Sequence, residues 1–233
     1  MTVYRSPLPP VPLRYESIFT YLFRTHYARH PPEAAAYTDA ATGRTLSRAQ
    51  TRELSLAFAY GVRHTFAQSG GVPLARGDVL MVFSPNSIAW PVLVFGGWAA
   101  GLRLTLTNSA YTPREVAYQW VDSGAKAVVV QPALLGVVLD AFKSLGIDAA
   151  EARKRIIIAD WGVTPPPVGL QGYVSMSSLL TQKCLAEEEK FPGDQTHETT
   201  LLCYSSGTTG QPKGVEVSHL HCPEGYRLKS DRL

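Results

Sequence analysis

The stretch Thr199-Thr-Leu-Leu-Cys-Tyr-Ser-Ser-Gly-Thr-Thr-Gly-Gln-Pro-Lys-Gly-Val-Glu-Val217 decides how this chain folds. Thr199 to Tyr204 is a mostly apolar run of strand length. Ser205 to Gly214 then holds four hydroxyl side chains (Ser205, Ser206, Thr208, Thr209), three glycines (Gly207, Gly210, Gly214) and one lysine, Lys213. Such a loop suits phosphate. Glycines let the backbone take positive φ and turn its amides toward an anion. The hydroxyls add donors, and the lysine adds a mobile point charge. A Walker loop needs Gly-Lys-Ser/Thr opening a helix. Here Pro212 precedes Lys213, Gly214 follows it, and Val215-Glu-Val217 alternates as a strand does. The loop is therefore expected to join strand to strand, which disfavours a Walker-type NTPase. The plainer alternative is a surface turn of small residues.

Working upstream, strands and helices alternate. Val79-Leu-Met-Val-Phe83, inside Asp78 to Ser84, is a continuous apolar run that suits a strand buried on both faces. Asn86 and Ser87 are read as opening a helix to Ala100, followed by a strand from Leu102 to Leu106. Thr112, Pro113 and Glu115 form a capping-box pattern for a helix that Gly124 stops near Ser123. Ala127 to Val130 reads as a strand, Pro132 to Leu145 as a helix and Arg155 to Ala159 as a strand. Nearer the N-terminus, Ile18, Phe19, Leu22 and Phe23 sit at helical spacing within Ser17 to His30. Ala35–Thr38 and Arg44–Leu46 form a hairpin around the turn Asp39–Gly43. Ser47 caps a helix to about Ser69, with Leu54, Phe58 and Val62 on one face and Gly70-Gly71 at its end. Residues 162–172 read as a Pro/Gly loop and Ser177 to Gln182 as a short helix. Ala186 to Glu198 reads as a charged surface loop, with Glu187-Glu-Glu-Lys190 solvated. The expected fold class is α/β, a mostly parallel sheet with helices on both faces and right-handed crossovers. No internal repeat is present.

The chain has 233 residues, enough for one large domain. Its net charge of +3 comes from basic residues scattered singly, which gives no support for a nucleic-acid or membrane-surface role. The three cysteines, Cys184, Cys203 and Cys222, are odd in number and far apart. No disulfide framework is implied, and an intracellular, cytoplasmic setting is expected. The apolar stretch Ala89–Leu102 is too short to span a bilayer and contains Pro91, so a buried core helix is expected. The proline-rich arm, residues 1–14, lacks a charged start followed by an apolar core and does not read as a secretory signal.

Tyr204 to Val215 resembles the signature loop of the adenylate-forming superfamily, which includes acyl-CoA synthetases, 4-coumarate–CoA ligases and luciferases. Further segments resemble that family too. They are Arg44–Ser47, Arg76-Gly-Asp-Val79, Ser84-Pro-Asn-Ser87 with Trp90-Pro91, Asn108 to Glu115, and Asp122 to Lys126. The resemblance implies a partial N-terminal AMP-dependent synthetase/ligase domain over residues 15–219, flanked by the arm and an atypical tail, residues 220–233. It implies that a carboxylate and ATP give acyl-AMP and pyrophosphate, with coenzyme A as the usual acceptor. Carried over by position, Ser205, Ser206, Gly207, Thr208 and Thr209 would hold the β- and γ-phosphates, and Gly210 and Lys213 would complete the loop. Mg2+ would screen the triphosphate. No catalytic residue and no protein-held metal is assigned.

The resemblance stops near Val217-Ser218-His219. The family continues with an asparagine-bearing helix, a Tyr-Gly-x-Thr-Glu segment, a ribose-binding Thr-Gly-Asp and a C-terminal domain with a catalytic lysine. Pro192-Gly-Asp194 is only superficially similar to the ribose motif. Leu220 to Leu233 has no period and reads as a frame change, an unspliced segment or a truncated gene model. The chain alone is thus expected to lack adenylation activity. The alternative is a non-catalytic fragment with at most weak nucleotide binding. His219-Leu-His221-Cys222 lacks a fourth ligand at metal-site spacing, and the resemblance implies that His219 interacts near the start of the helix that the family has at that point. His26, His30, His64 and His197 read as isolated, and Asp39 and Asp78 as turn residues. Asp231-Arg-Leu233 resembles a peroxisomal Ser-Lys-Leu address except at its first residue.

Overall fold

A computed structural model of the chain describes residues 13–26, 30–163, 169–180, 183–205 and 211–221. Most of the expected N-terminal arm, the middle of the Pro/Gly loop, the end of the expected Ser177–Gln182 helix and the tail from Cys222 lie outside the described residues. The chain enters through α1 (Ile18–Thr20), capped by Ser17 and continued by a π-helical turn, Tyr21–His26. The hairpin β1 (Ala35–Thr38) and β2 (Thr45–Ser47) follows. Its turn is held by Asp39, whose Oδ1 accepts from the Ala41 and Thr42 amides. Ser47 starts α2 (Arg48–Tyr60) with a complete capping box. Its Oγ accepts from Gln50 N, and Gln50 Oε1 accepts from Ser47 N. The helix runs on through Gly61–Thr65 into α3 (Phe66–Gln68).

The alternating part comprises β3 (Val79–Phe83), α4 (Trp90–Ala99), β4 (Arg103–Thr107), α5 (Pro113–Ser123), β5 (Ala125–Val130), α6 (Leu135–Ser144), α7 (Ala149–Arg155), β6 (Ile156–Ile158), β7 (Val174–Ser175), α8 (Met176–Leu179), β8 (Thr199–Ser205) and β9 (Lys213–Ser218). The strand order is β7-β6-β5-β3-β4-β8-β9. Every neighbouring pair is parallel except β8 and β9. The sheet is thus mostly parallel, as its apolar strands imply.

Crossover direction explains the two helical layers. The chain steps one way from β3 to β4 through α4. It then steps back past β3 to β5 through α5, and onward to β6 through α6 and α7. A single crossover hand places these two directions on opposite faces. The core divides accordingly. Leu80, Val82, Leu104 and Val129 pack with α2 and α4 residues such as Phe58 and Leu93. Met81, Phe83, Val128 and Val130 pack with Val116, Trp120, Val138, Phe142 and Ala152 on the other side. Among the described residues no helix is long and apolar enough to cross a membrane.

The return from β7 to β8 must travel the whole sheet in the direction of the first step, so it crosses the first face. Met176, Leu179 and Leu185 pack into that face's core. The segment 186–198 is a surface loop as expected, with most of its residues exposed, but not all of it is solvated. Glu188 is only 2% exposed. Its carboxylate accepts from Thr20 Oγ1 at 2.8 Å, Arg24 at 3.0 Å and Lys190 at 2.8 Å. Glu189 pairs with Arg63 and Arg76, and its amide donates to Ala99 O. Phe191 and Thr196 are buried, and a 3-10 turn spans Gly193–His197. Of the acidic run, Glu187 is the residue that faces solvent.

Three smaller corrections concern one boundary and two short elements. The fourth helix starts at Trp90 rather than Asn86, which places Pro91 in its first turn. Starting at Asn86 would put a residue without an amide proton in the interior. A helix unanticipated from the sequence, α7, precedes β6. Asp148 caps it by accepting from Glu151 N at 2.8 Å. The two-residue strand β7 was also unanticipated.

Candidate functional site

Parallel strands deliver their carboxyl ends to one edge of the sheet. Phe83, Thr107, Val130 and Ile158 lie in register there. In open α/β sheets, ligands bind beyond that edge. β8 emerges from the same edge, beside β4. Its last residue, Ser205, is exposed and pairs in register with Lys213, the first residue of β9. Ser206, Gly207, Thr208, Thr209 and Gly210 lie outside the described residues. The strand following Lys213 confirms that the loop joins a parallel strand to its antiparallel return, unlike a Walker loop.

Both stems of the loop touch α5. The Tyr204 hydroxyl donates to Asp122 Oδ2 at 2.5 Å, and the Tyr118 hydroxyl donates to the Pro212 carbonyl at 2.8 Å. Burial, then the Asp122 carboxylate, raises the pKa of the Tyr204 phenol above its ordinary value. A groove of about 570 Å³ runs between α5 and the loop, lined by residues including Tyr111, Arg114, Tyr118, Tyr204 and Gln211. Gln119, also in its wall, is buried. Its Nε2 donates to Thr105 Oγ1 at 2.6 Å, while its Oε1 has no partner. Sequence reasoning gave Tyr118 and Gln119 no part, and met Asp122 only as the start of a family-like segment with no role at the loop. The available signal was a polar pair at i, i+4 on an amphipathic helix, which is common on surfaces.

His219, just past β9, is buried at 1% exposure. Its Nδ1 accepts from Ile18 N at 3.3 Å, at the start of α1, a different helix from the one expected after it, which falls outside the described residues. Its ring lies 3.9 Å from the Phe191 ring, over which the Arg76 guanidinium also sits at 4.2 Å. Burial, then the nearby Arg76 charge, pushes the His219 pKa down to about 4. The unfolded chain therefore takes up a proton near pH 6.5 that the folded chain refuses. Stability from this group is complete above pH 6.5 and is lost as the pH falls toward about 4. The urea midpoint is expected to fall between pH 7 and pH 5, and to fall less in His219→Asn. An equal fall in the variant would show that His219 is not the titrating group. Cys184 and Cys203 are free, and burial pushes the Cys203 thiol pKa up.

The fold defines an α/β protein with a parallel sheet covered on both faces and a glycine- and hydroxyl-rich loop at its carboxyl edge. Residues 23–226 match the family model described as AMP-binding enzyme, and the chain belongs to that family. It is 30% identical to 4-coumarate–CoA ligase 5 of Oryza sativa subsp. japonica over 218 residues, covering 93% of this chain and 35% of the relative. The red-emitting luciferase of Phrixothrix hirtus superposes with a TM-score of 0.74 at 22% identity, covering 97% of this chain and 51% of the luciferase. ATP-bound MatB of Rhodopseudomonas palustris superposes with a TM-score of 0.61 at 25% identity, covering 87% of this chain and 35% of MatB. The chain spans between 25% and 39% of the length of eight curated relatives it matches.

Proposed function

We propose that this chain carries the nucleotide-phosphate part of an ATP-dependent carboxylate-activating enzyme, within a partial N-terminal domain over residues 15–219. The observation that carries the reading is the Ser205–Lys213 loop between β8 and antiparallel β9, inside a segment matched by the AMP-binding enzyme model. The rice relative's name and the ATP in the MatB structure support it. Ser205, Ser206, Gly207, Thr208 and Thr209 hold the β- and γ-phosphates through hydroxyls and amides, with Gly210 and Lys213 completing the loop. A carboxylate oxygen attacks the α-phosphorus, the bond to the bridging oxygen breaks, and pyrophosphate leaves with the electron pair. The loop stabilises the charge that gathers on that leaving group. Mg2+ supplies charge screening of the triphosphate when bound. Coenzyme A is the acceptor in the second half-reaction, which releases AMP. Free Cys184 and Cys203 suit a reducing, cytoplasmic setting.

Titration calorimetry of the full chain with MgATP tests this. Lys213→Ala is expected to weaken binding about ten- to hundredfold, the loss of a charge-assisted contact. Absence of binding by the wild type, or equal binding by the variant, would overturn the reading.

A further inference from the structure

One helix holds the loop at both stems. At the first stem Tyr204, the residue before Ser205, donates its phenol proton to Asp122. At the second, the carbonyl of Pro212, the residue before Lys213, accepts from Tyr118. Tyr118 and Asp122 are four residues apart on α5 and so share one face, about 5–6 Å from each other. Neighbouring strands such as β8 and β9 lie about 4.8 Å apart. The spacing of the two anchors therefore matches the width of the loop's base.

The anchors stand on a fixed element. α5 has a complete Thr112/Glu115 capping box, and Val116, Ala117 and Trp120 are buried in the second core. Gly214 makes room for the first tether. A Cβ at Gly214 would lie 3.1 Å from Tyr204 Cζ, 3.2 Å from its hydroxyl oxygen and 3.5 Å from Asp122 Oδ2. A side chain there would crowd the ring where it passes to reach Asp122.

We propose that Tyr118 and Asp122 are positioning residues, a two-point brace by which α5 holds Tyr204 and Pro212, and with them Ser205 and Lys213, in the geometry that receives a nucleoside triphosphate. This rests on the loop being the phosphate site. Ordering backbone and side chains around a ligand costs conformational entropy, and glycine-rich sequence costs most. Fixing the loop's stems beforehand removes part of that cost and raises affinity without contact to the ligand. Charge alone predicts the reverse sign, because removing a carboxylate beside a polyanion would strengthen binding.

The test uses the full chain with Asp122→Ala, Asp122→Asn, Tyr118→Phe and the double variant Tyr118→Phe/Asp122→Ala. Amide hydrogen exchange and MgATP titration are the readouts. Asp122→Ala and Tyr118→Phe are each expected to speed exchange in residues 204–214, leave β3 and β5 unchanged, and weaken MgATP about three- to tenfold. Asp122→Asn, which still accepts the phenol proton, is expected to behave as wild type. Unchanged loop exchange in the double variant, or tighter MgATP binding by Asp122→Ala, would overturn the brace. Should the wild type and Lys213→Ala alike fail to bind MgATP, the phosphate reading fails, and exchange alone then decides the brace.

Discussion

Glu188→Ala is expected to lower stability by about 1–3 kcal/mol, the usual cost of losing charge-assisted hydrogen bonds made by a buried carboxylate. The Glu188 side chain has no solvent exposure. Its carboxylate receives Arg24, Lys190 and the Thr20 hydroxyl, so truncation removes three hydrogen bonds, two of them from cations that remain partly open to water. It also joins the first helical turns of the chain to the long return that crosses the sheet. Chemical denaturation of Glu188→Ala beside Glu187→Ala gives the contrast. Glu187 is 65% exposed, and its loss is expected to cost less than about 0.5 kcal/mol. A comparable loss in both variants would contradict the burial of Glu188.

The second large effect lies where α2 crosses α4. Phe58 is fully buried and packs against Gly96. Phe58→Ala is expected to cost about 3–5 kcal/mol, by lost transfer free energy and a cavity that the two helices close only partly. Gly96→Ala perturbs the same crossing in the opposite sense. Its Cβ would sit 2.7 Å from Phe58 Cδ1 and 2.9 Å from the Ser55 carbonyl oxygen. The ring can turn aside but the backbone carbonyl cannot, so about 1–3 kcal/mol of overpacking is expected. Thermal or urea unfolding checks both. In the double variant the smaller residue at position 58 is expected to relieve part of the Gly96→Ala cost. Strict additivity would mean the two sites do not share one packing contact.

Features written into neighbouring residues were legible in the sequence. The Ser47 cap and the Thr112 capping box are short-range patterns; the structure realises both, and at Ser47 adds Gln50 to complete a box that was not anticipated. The run Val79–Phe83 is apolar because both of its faces are covered, and all of β3 is buried. The alternation after Lys213 announced the strand that separates this loop from a Walker loop. Where partners lie far apart in the chain, the residues alone carried no signal. Glu188 reads as one of three surface glutamates until Thr20 and Arg24, 168 and 164 residues away, are brought to it. His219 meets Ile18 across 201 residues. The α5 contacts to the loop span 82 and 94 residues. The helix α7 escaped notice for a different reason. It has seven residues, buries only Ala152, and ends in Arg153-Lys-Arg155 directly against a strand, so no apolar stripe marks it.

The reversal of β9 carries a further geometric consequence. A parallel strand after the loop would have needed a crossover and would have kept the chain's outlet beside the sheet's carboxyl edge. Because β9 runs antiparallel to β8, it takes the chain to the opposite pole of the sheet, where the His219 and Leu220 amides donate to Glu198 O and Thr196 O. Six residues of extended strand cover roughly 20 Å. The chain therefore leaves β9 that far from Ser205 and Lys213, the stems of the proposed phosphate loop.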